Sequence, residues 1–207
     1  GTDGCVVAGR LAAAGLSVLL GEAGPPDTAG PAIADAGAWV GLLGGPCDWG
    51  YAYAPAPEVA GRAIAIPRGR VLGGSSSINA MLWNRGHPSD YDGWAAAGAT
   101  GWDFALVLPY FRRAEDWEGG ETPLRGAGGP LRIETSHDPH PVARALLAAA
   151  AERGLPVLAD ANGPDNAGAA LANLNKRGTR RWSVVDGYIR PLAGDPKLTI
   201  LTGATVL

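Results

Sequence analysis

The pattern of apolar and polar positions changes character several times along this chain, and each change marks an element. A run of small and apolar residues from about Thr2 to Ala14 predicts a helix, Gly15 ends it, and Ser17 to Leu20 predict a buried strand closed by Glu22. Gly1 and Gly4 stand where the last two glycines of a G-x-G-x-x-G turn would stand. Glu22 follows close to the ~20-residue offset at which an acid meets a ribose hydroxyl in dinucleotide-binding folds. Such a turn needs a strand ahead of Gly1, so the sequence is expected to be a piece of a longer protein.

From Pro25 to Pro67 the pattern dissolves into Gly, Pro and Ala with Trp39, Trp49, Tyr51 and Tyr53 interspersed, which predicts a long surface excursion with one short helix near Ala32 to Leu43. Residues 69–86, GRVLGGSSSINAMLWNRG, then place paired glycines, three serines and Asn79 between apolar flanks. Glycines allow main chain to lie close against a ligand, and the short polar side chains add donors and acceptors, so a ligand loop competes here with a flexible linker. Beyond it two amphipathic helices are expected, capped by Ser89 and Asp103. A turn over Gly126 to Gly129, a strand over Pro130 to Glu134, a helix over Pro141 to Arg153 stopped by Gly154, and a polar loop over Asp160 to Gly168 follow. A strand over Ala169 to Asn175, a helix over Ser183 to Leu192 and a buried strand over Leu198 to Thr202 complete the series. Helix and strand order make the fold class α/β, with a Rossmann-like β-α-β unit.

Composition narrows the function. Charged residues are 18% of the chain and the net charge is −3, which suggests no surface for nucleic acid. Arg177, Arg180 and Arg181 read as a solvated turn or as structural ion-pair donors. Cys5 and Cys47 have neither metal spacing nor an evident disulfide relation, and no apolar run is long enough to span a membrane.

The segments GTDG and LLGEAG, then PRGRVLGGSSSINAMLWNRGHPSDYDGW, GWDFALVLPYFRRAED, GGPL, RRWSVVDGYIRPL and LTILTGATV, occur in this order and cover most of the chain. Together they resemble the N-terminal part of the glucose-methanol-choline (GMC) family of FAD-dependent oxidoreductases. The likeness is greatest to bacterial members acting on small primary alcohols, of the choline dehydrogenase-like, pyridoxine oxidase-like or hydroxymethylfurfural oxidase-like kind. The resemblance implies an FAD-binding domain over residues 1–130, part of a substrate-binding domain over 131–180, and a return to the FAD-binding domain over 181–207, both domains being incomplete. It implies that Gly1, Thr2 and Gly4 hold the FAD pyrophosphate and Glu22 the adenosine ribose. Leu72, Gly73, Gly74, Ser75, Asn79, Ala80, Met81 and Leu82 would line the pyrophosphate, ribityl chain and flavin ring, and Val206 would meet the adenine. The reaction implied is oxidation of a small primary alcohol to an aldehyde by hydride transfer to flavin N5.

Two positions depart from the family pattern. Asp3 puts a carboxylate in the phosphate turn, where it repels a pyrophosphate unless it faces solvent. Ile78 stands where members with covalently attached flavin carry histidine, so the FAD is expected to be non-covalent. None of His87, His137 and His140 fits the family's catalytic base, so no catalytic residue is assigned within the chain, and no metal ligand either. The implied partners are a C-terminal remainder carrying a histidine pair, on the same or a second chain, a small alcohol, and oxygen or a quinone-type acceptor. A bacterial cytoplasmic setting is expected, and the piece alone is not expected to be active. The competing readings are an FAD-containing hydroxynitrile lyase of the same family and a non-catalytic flavin-binding fragment.

Overall fold

The computed structural model describes residues 1–206. In chain order the helices and strands begin with α1 (Thr2–Ala13), β1 (Val18–Glu22), the single turn α2 (Pro31–Ala34), β2 (Tyr51–Tyr53) and β3 (Ile64–Ile66). They continue with α3 (Pro88–Ala96), α4 (Phe104–Ala114), β4 (Glu115–Trp117), β5 (Leu131–Thr135) and α5 (Pro141–Glu152). Last come the two-residue strands β6 (Asn173–Leu174), β7 (Lys176–Arg177) and β8 (Arg180–Arg181), and β9 (Leu198–Thr202). The chain packs as two units, Gly1–Met81 with the segment from Lys176 onward, and Leu82–Asn175. This is a partition by packing, distinct from the division into 1–130, 131–180 and 181–207 that the family resemblance implies.

In the first unit β1 and β9 pair in parallel, Val18 opposite Leu198 through Glu22 opposite Thr202, and α1 packs on β1. The expectation of two buried strands needs correction. Leu20 and Glu22 are buried, whereas Leu19 is 67% exposed and Ile200 and Leu201 of β9 are also exposed. Side chains alternate across a strand, and on β1 only the set carrying Leu20 and Glu22 is covered, whereas β9 exposes Thr199, Ile200 and Leu201 in succession and so lacks cover on both faces among the described residues. The apolar centre below the loop region is Ile33, Leu42, Val71 and Ile78, with Leu43 and Cys47 against it. The short helix expected near 32–43 divides into α2 and a 3-10 segment over Ala36–Leu42, where Asp35 accepts from Gly37 N–H at 2.8 Å and restarts the turn. The helix expected over Ser183 to Leu192 winds as a π turn at Val185–Ile189 and a 3-10 turn at Arg190–Leu192, Pro191 having no N–H to continue an α ladder.

The second unit carries the three-stranded sheet β4-β5-β6, parallel then antiparallel. Asp103 caps α4 as expected, accepting from Leu106 N–H at 3.1 Å. The cap of α3 is His87 and not Ser89, because Pro88 takes the first helical position and leaves Ser89 inside the first turn. His87 and Asp90 form a reciprocal capping box. The strand expected over Ala169 to Asn175 pairs with β5 only at Asn173–Leu174, with an isolated bridge from Ala169 to Val157. Buried beside the sheet, Glu115 receives Arg85 and Arg125 together. Arg125 Nε lies 3.1 Å from Glu115 Oε1, its NH1 reaches Asp160 and Asn173 at 2.8 and 2.9 Å, and its guanidinium sits 3.9 Å above the Trp117 ring. Nothing in the hydropathy pattern announces this cluster, since each member looks like an ordinary surface charge until the fold closes over it.

Candidate functional site

The site grows from the N-terminus of α1. The first N–H groups of a helix have no acceptor within it, and the helix dipole makes that end attractive to anions. Gly1 and Gly4 are exposed, and a Cβ at Gly1 would meet nothing within 4 Å, so there is room in front of these donors. Asp3 is exposed as well, so its carboxylate can face solvent.

The glycine-serine segment is folded onto this helix end and is not a linker. Thr2 Oγ1 donates to Gly73 O and accepts from Ser76 N–H, both at 3.2 Å. Gly73 and Gly74 have φ of +89° and +55°. A Cβ on Gly74 would lie 2.6 Å from Gly1 Cα, and one on Gly73 would lie 2.3 Å from Ser77 Oγ, so both positions require glycine. Ser76 Oγ donates to Gly73 O and Ser77 Oγ to Leu72 O, each at 2.8 Å, while Ser75 Oγ accepts from Gly69 N–H at 3.2 Å. The serines, expected as ligand donors, thus serve largely to fix the loop. Leu72, Gly73, Gly74 and Met81 are buried, Ala80 is half-buried, and the segment reaches the surface at Asn79.

Glu22 closes the arrangement from the end of β1. It is 7% exposed, Oε1 accepts from Gly24 N–H at 2.9 Å, and Oε2 lies 3.3 Å from the Gly1 nitrogen. Gly1, Thr2, Glu22, Gly73 and Gly74 are therefore brought together, with Gly4 one turn into α1. Leu82 belongs to the second unit, and Val206, beyond β9, is 91% exposed. A helix terminus, a close-approach glycine loop and a carboxylate fit a dinucleotide.

Two residues carry the loop without having been singled out for it. Arg181, expected on a solvated turn or as a structural ion-pair donor, is 2% exposed and lies under the segment, where burial brings its pKa down to about 10. Asp186 accepts from Ser183 N–H and Oγ at 3.0 and 3.1 Å and from Arg180 at 2.8 Å, while Ser183 Oγ accepts from Val185 N–H at 3.1 Å, a reciprocal cap on this helical turn. The signal for Arg181 was present in its adjacency to Arg180, but sequence does not say which of two neighbouring arginines turns inward.

The histidines all have other partners. His87 and His140 cap α3 and α5, and His137 lies 2.6 Å from Glu118. Among the described residues no group of three or more His, Cys, Asp or Glu is placed to hold a metal ion, and no helix is long and apolar enough to cross a membrane. Trp49 and Tyr51 stack at 5.8 Å, Arg70 lies over Trp49, and Tyr51 and Tyr53 are exposed on the β2–β3 hairpin.

Comparison with known proteins places this geometry. The family model described as GMC oxidoreductase matches residues 6–207. An oxygen-dependent choline dehydrogenase of Brucella anthropi is 40% identical over 98% of this chain, which spans 37% of that protein's length. The crystal structure of pyridoxine 4-oxidase from Mesorbium loti superposes with a TM-score of 0.92 at 39% identity, covering 98% of this chain and 40% of that one. An FAD-dependent oxidoreductase from Chaetomium thermophilum superposes with a TM-score of 0.86 at 28% identity, over 97% of this chain and 37% of that one.

Proposed function

Because the chain belongs to the GMC oxidoreductase family, we propose that it supplies the cofactor-holding part of an FAD-dependent enzyme oxidising a small primary alcohol to its aldehyde. The first turn of α1, with Gly1, Thr2 and Gly4, takes the pyrophosphate on free N–H groups. Glu22 takes the adenosine ribose. Leu72, Gly73, Gly74 and Ser75, then Asn79, Ala80, Met81 and Leu82, follow the pyrophosphate, ribityl chain and flavin ring, and Val206 meets the adenine. The observation that carries this reading is the seating of Gly74 against Gly1, which puts glycine main chain beside an anion-favouring helix end and a buried ribose acid.

When bound, FAD would supply the two-electron acceptor, at flavin N5, for hydride from the alcohol carbon. The chain's own residues bind and orient. Ile78 is 1% exposed within the apolar centre and has no nucleophilic atom, which supports non-covalent attachment. The base that takes the hydroxyl proton belongs to a histidine pair in the remainder of the protein, His87, His137 and His140 being engaged at helix ends and with Glu118.

The test is anaerobic mixing of the full-length flavoprotein with a series of small primary alcohols. Loss of the oxidised flavin absorbance with stoichiometric aldehyde supports the proposal. An unchanged oxidised spectrum with cleavage of a cyanohydrin would replace it with a lyase, and an unchanged spectrum with neither reaction would leave a flavin-binding protein without this activity.

A further inference from the structure

Beneath the exposed end of the glycine-serine segment lies a buried cation whose hydrogen bonds all go to neutral acceptors. Arg181 NH1 donates to Asn79 O at 2.7 Å, to Asn79 Oδ1 at 2.9 Å and to Ser76 O at 3.3 Å, and Arg181 Nε donates to Ile33 O at 3.0 Å. Among the described residues no carboxylate hydrogen-bonds to it, the Asp186 charge acts on it only through space, and its NH2 is buried without a partner. Burying a guanidinium on carbonyls is costly, and an apolar side chain would fill the same space more cheaply. The distinctive product of the arrangement is orientation.

A trans peptide is planar, so its carbonyl and the following N–H point in opposite directions. No peptide bond among the described residues is cis. Asn79 O is aimed at Arg181, so the Ala80 N–H is aimed away from it, where the chain comes to the surface. Asn79 Oδ1 also accepts from Met81 N–H at 3.0 Å, and Met81 holds a φ of +62° that a non-glycine residue seldom adopts. One guanidinium therefore sets the Asn79 carbonyl, the Asn79 side chain and, through it, the Met81 backbone.

We propose that Arg181 is a positioning residue for the bound flavin, holding the 79–81 main chain so that the Ala80 N–H faces the isoalloxazine. The inference rests on the FAD reading above. The guanidinium fork is what the position requires, because one planar group must reach Ile33 O and the Ser76–Asn79 turn at once.

The test uses the full-length protein and the variants Arg181→Lys and Arg181→Met, with Arg180→Met as a control whose side chain is 47% exposed. FAD affinity is measured by titrating deflavinated protein, and the flavin midpoint potential and visible spectrum are measured on the loaded forms. Arg181→Lys keeps the charge and most of the volume, and it is expected to fold, to bind FAD about tenfold more weakly as charged hydrogen bonds are lost, and to shift the potential. Arg181→Met should show the same changes to a greater degree. If it fails to fold, the Lys variant alone decides. A folded Arg181→Lys with wild-type affinity, potential and spectrum overturns the inference, as does an equal change in Arg180→Met. Failure of the wild-type protein itself to bind FAD would instead remove the reading on which the inference stands.

Discussion

Replacing Glu115 with glutamine should be the most destabilising single polar change in the second unit. Its side chain has no exposed surface, and it accepts from Arg85 NH2, from Arg125 Nε at 3.1 Å, from Gly126 N–H at 2.7 Å and from Trp83 Nε1 at 3.0 Å. Glutamine preserves the volume but removes the charge and turns one acceptor into a donor that faces other donors. Arg125 keeps Asp160 at 2.8 Å, whereas Arg85 keeps only the Leu124 carbonyl among the hydrogen-bond partners described. Burial already holds the Arg85 guanidinium below its usual pKa, with the Glu115 charge opposing that shift, so removal of the charge leaves the desolvation uncompensated. Breaking a buried pair from one side costs about 3–5 kcal/mol. That is a large share of the ~5–15 kcal/mol by which a typical domain is stable. Urea unfolding of the full-length protein followed by tryptophan fluorescence measures it, with Trp83 and Trp117 as local reporters. Glu121→Gln is the control, since its pair with Arg112 is 69% exposed on the glutamate side and should matter by less than about 1 kcal/mol. A double change, Arg85→Met with Glu115→Leu, should recover part of the loss because no uncompensated Arg85 charge remains. A Glu115→Gln protein within about 1 kcal/mol of wild type would refute the reasoning.

Gly74→Ala should weaken FAD binding about tenfold or more in an equilibrium titration, because φ is +55° and the added Cβ must displace the start of α1, against a left-handed penalty of roughly 1–2 kcal/mol. Asp3→Asn should tighten FAD binding at low salt with the gain shrinking as salt is added, while lowering apo stability by about 0.3–1 kcal/mol through the lost helix-dipole interaction. Asp186 carries a stability term lost in acid. Burial raises its carboxyl, but the hydrogen bonds from Arg180 and Ser183 and the charges of Arg180 and Arg190 bring it below the usual value. The folded pKa being the lower one, this stabilisation is complete above the unfolded value of about 4 and disappears as pH falls through the folded pKa. Asp186→Asn should therefore be less stable at neutral pH and show a shallower loss below about pH 4 in acid titrations of unfolding.

Local signals made the helix end and the glycine loop of the proposed cradle legible. The small-residue helix, the glycine after it and Glu22 are set by spacing, and α1, β1 and the contact of Glu22 with Gly1 follow. The glycine pair was readable because a positive φ together with no room for a Cβ calls for glycine at both positions. What escaped is what depends on closure in three dimensions. Arg181 and Arg180 are identical neighbours in sequence, yet one is buried on carbonyls and the other pairs with Asp186 near the surface. Arg85, Glu115, Arg125 and Asp160 come from four separate segments and have no common period. The exposed faces of β1 and β9 were misread because a run of apolar residues looks the same whether one or both faces of its sheet are covered.

The central claim is that Gly1, Thr2, Glu22 and the segment from Leu72 onward form an FAD cradle. Titration of the deflavinated full-length protein with FAD, and with ADP as competitor, tests it most directly. The expected result is saturable one-to-one binding of FAD, displaced by ADP and weakened in parallel for both by Glu22→Ala and Gly74→Ala. Absence of saturable FAD binding, or affinity for FAD and ADP indifferent to both substitutions, would contradict it.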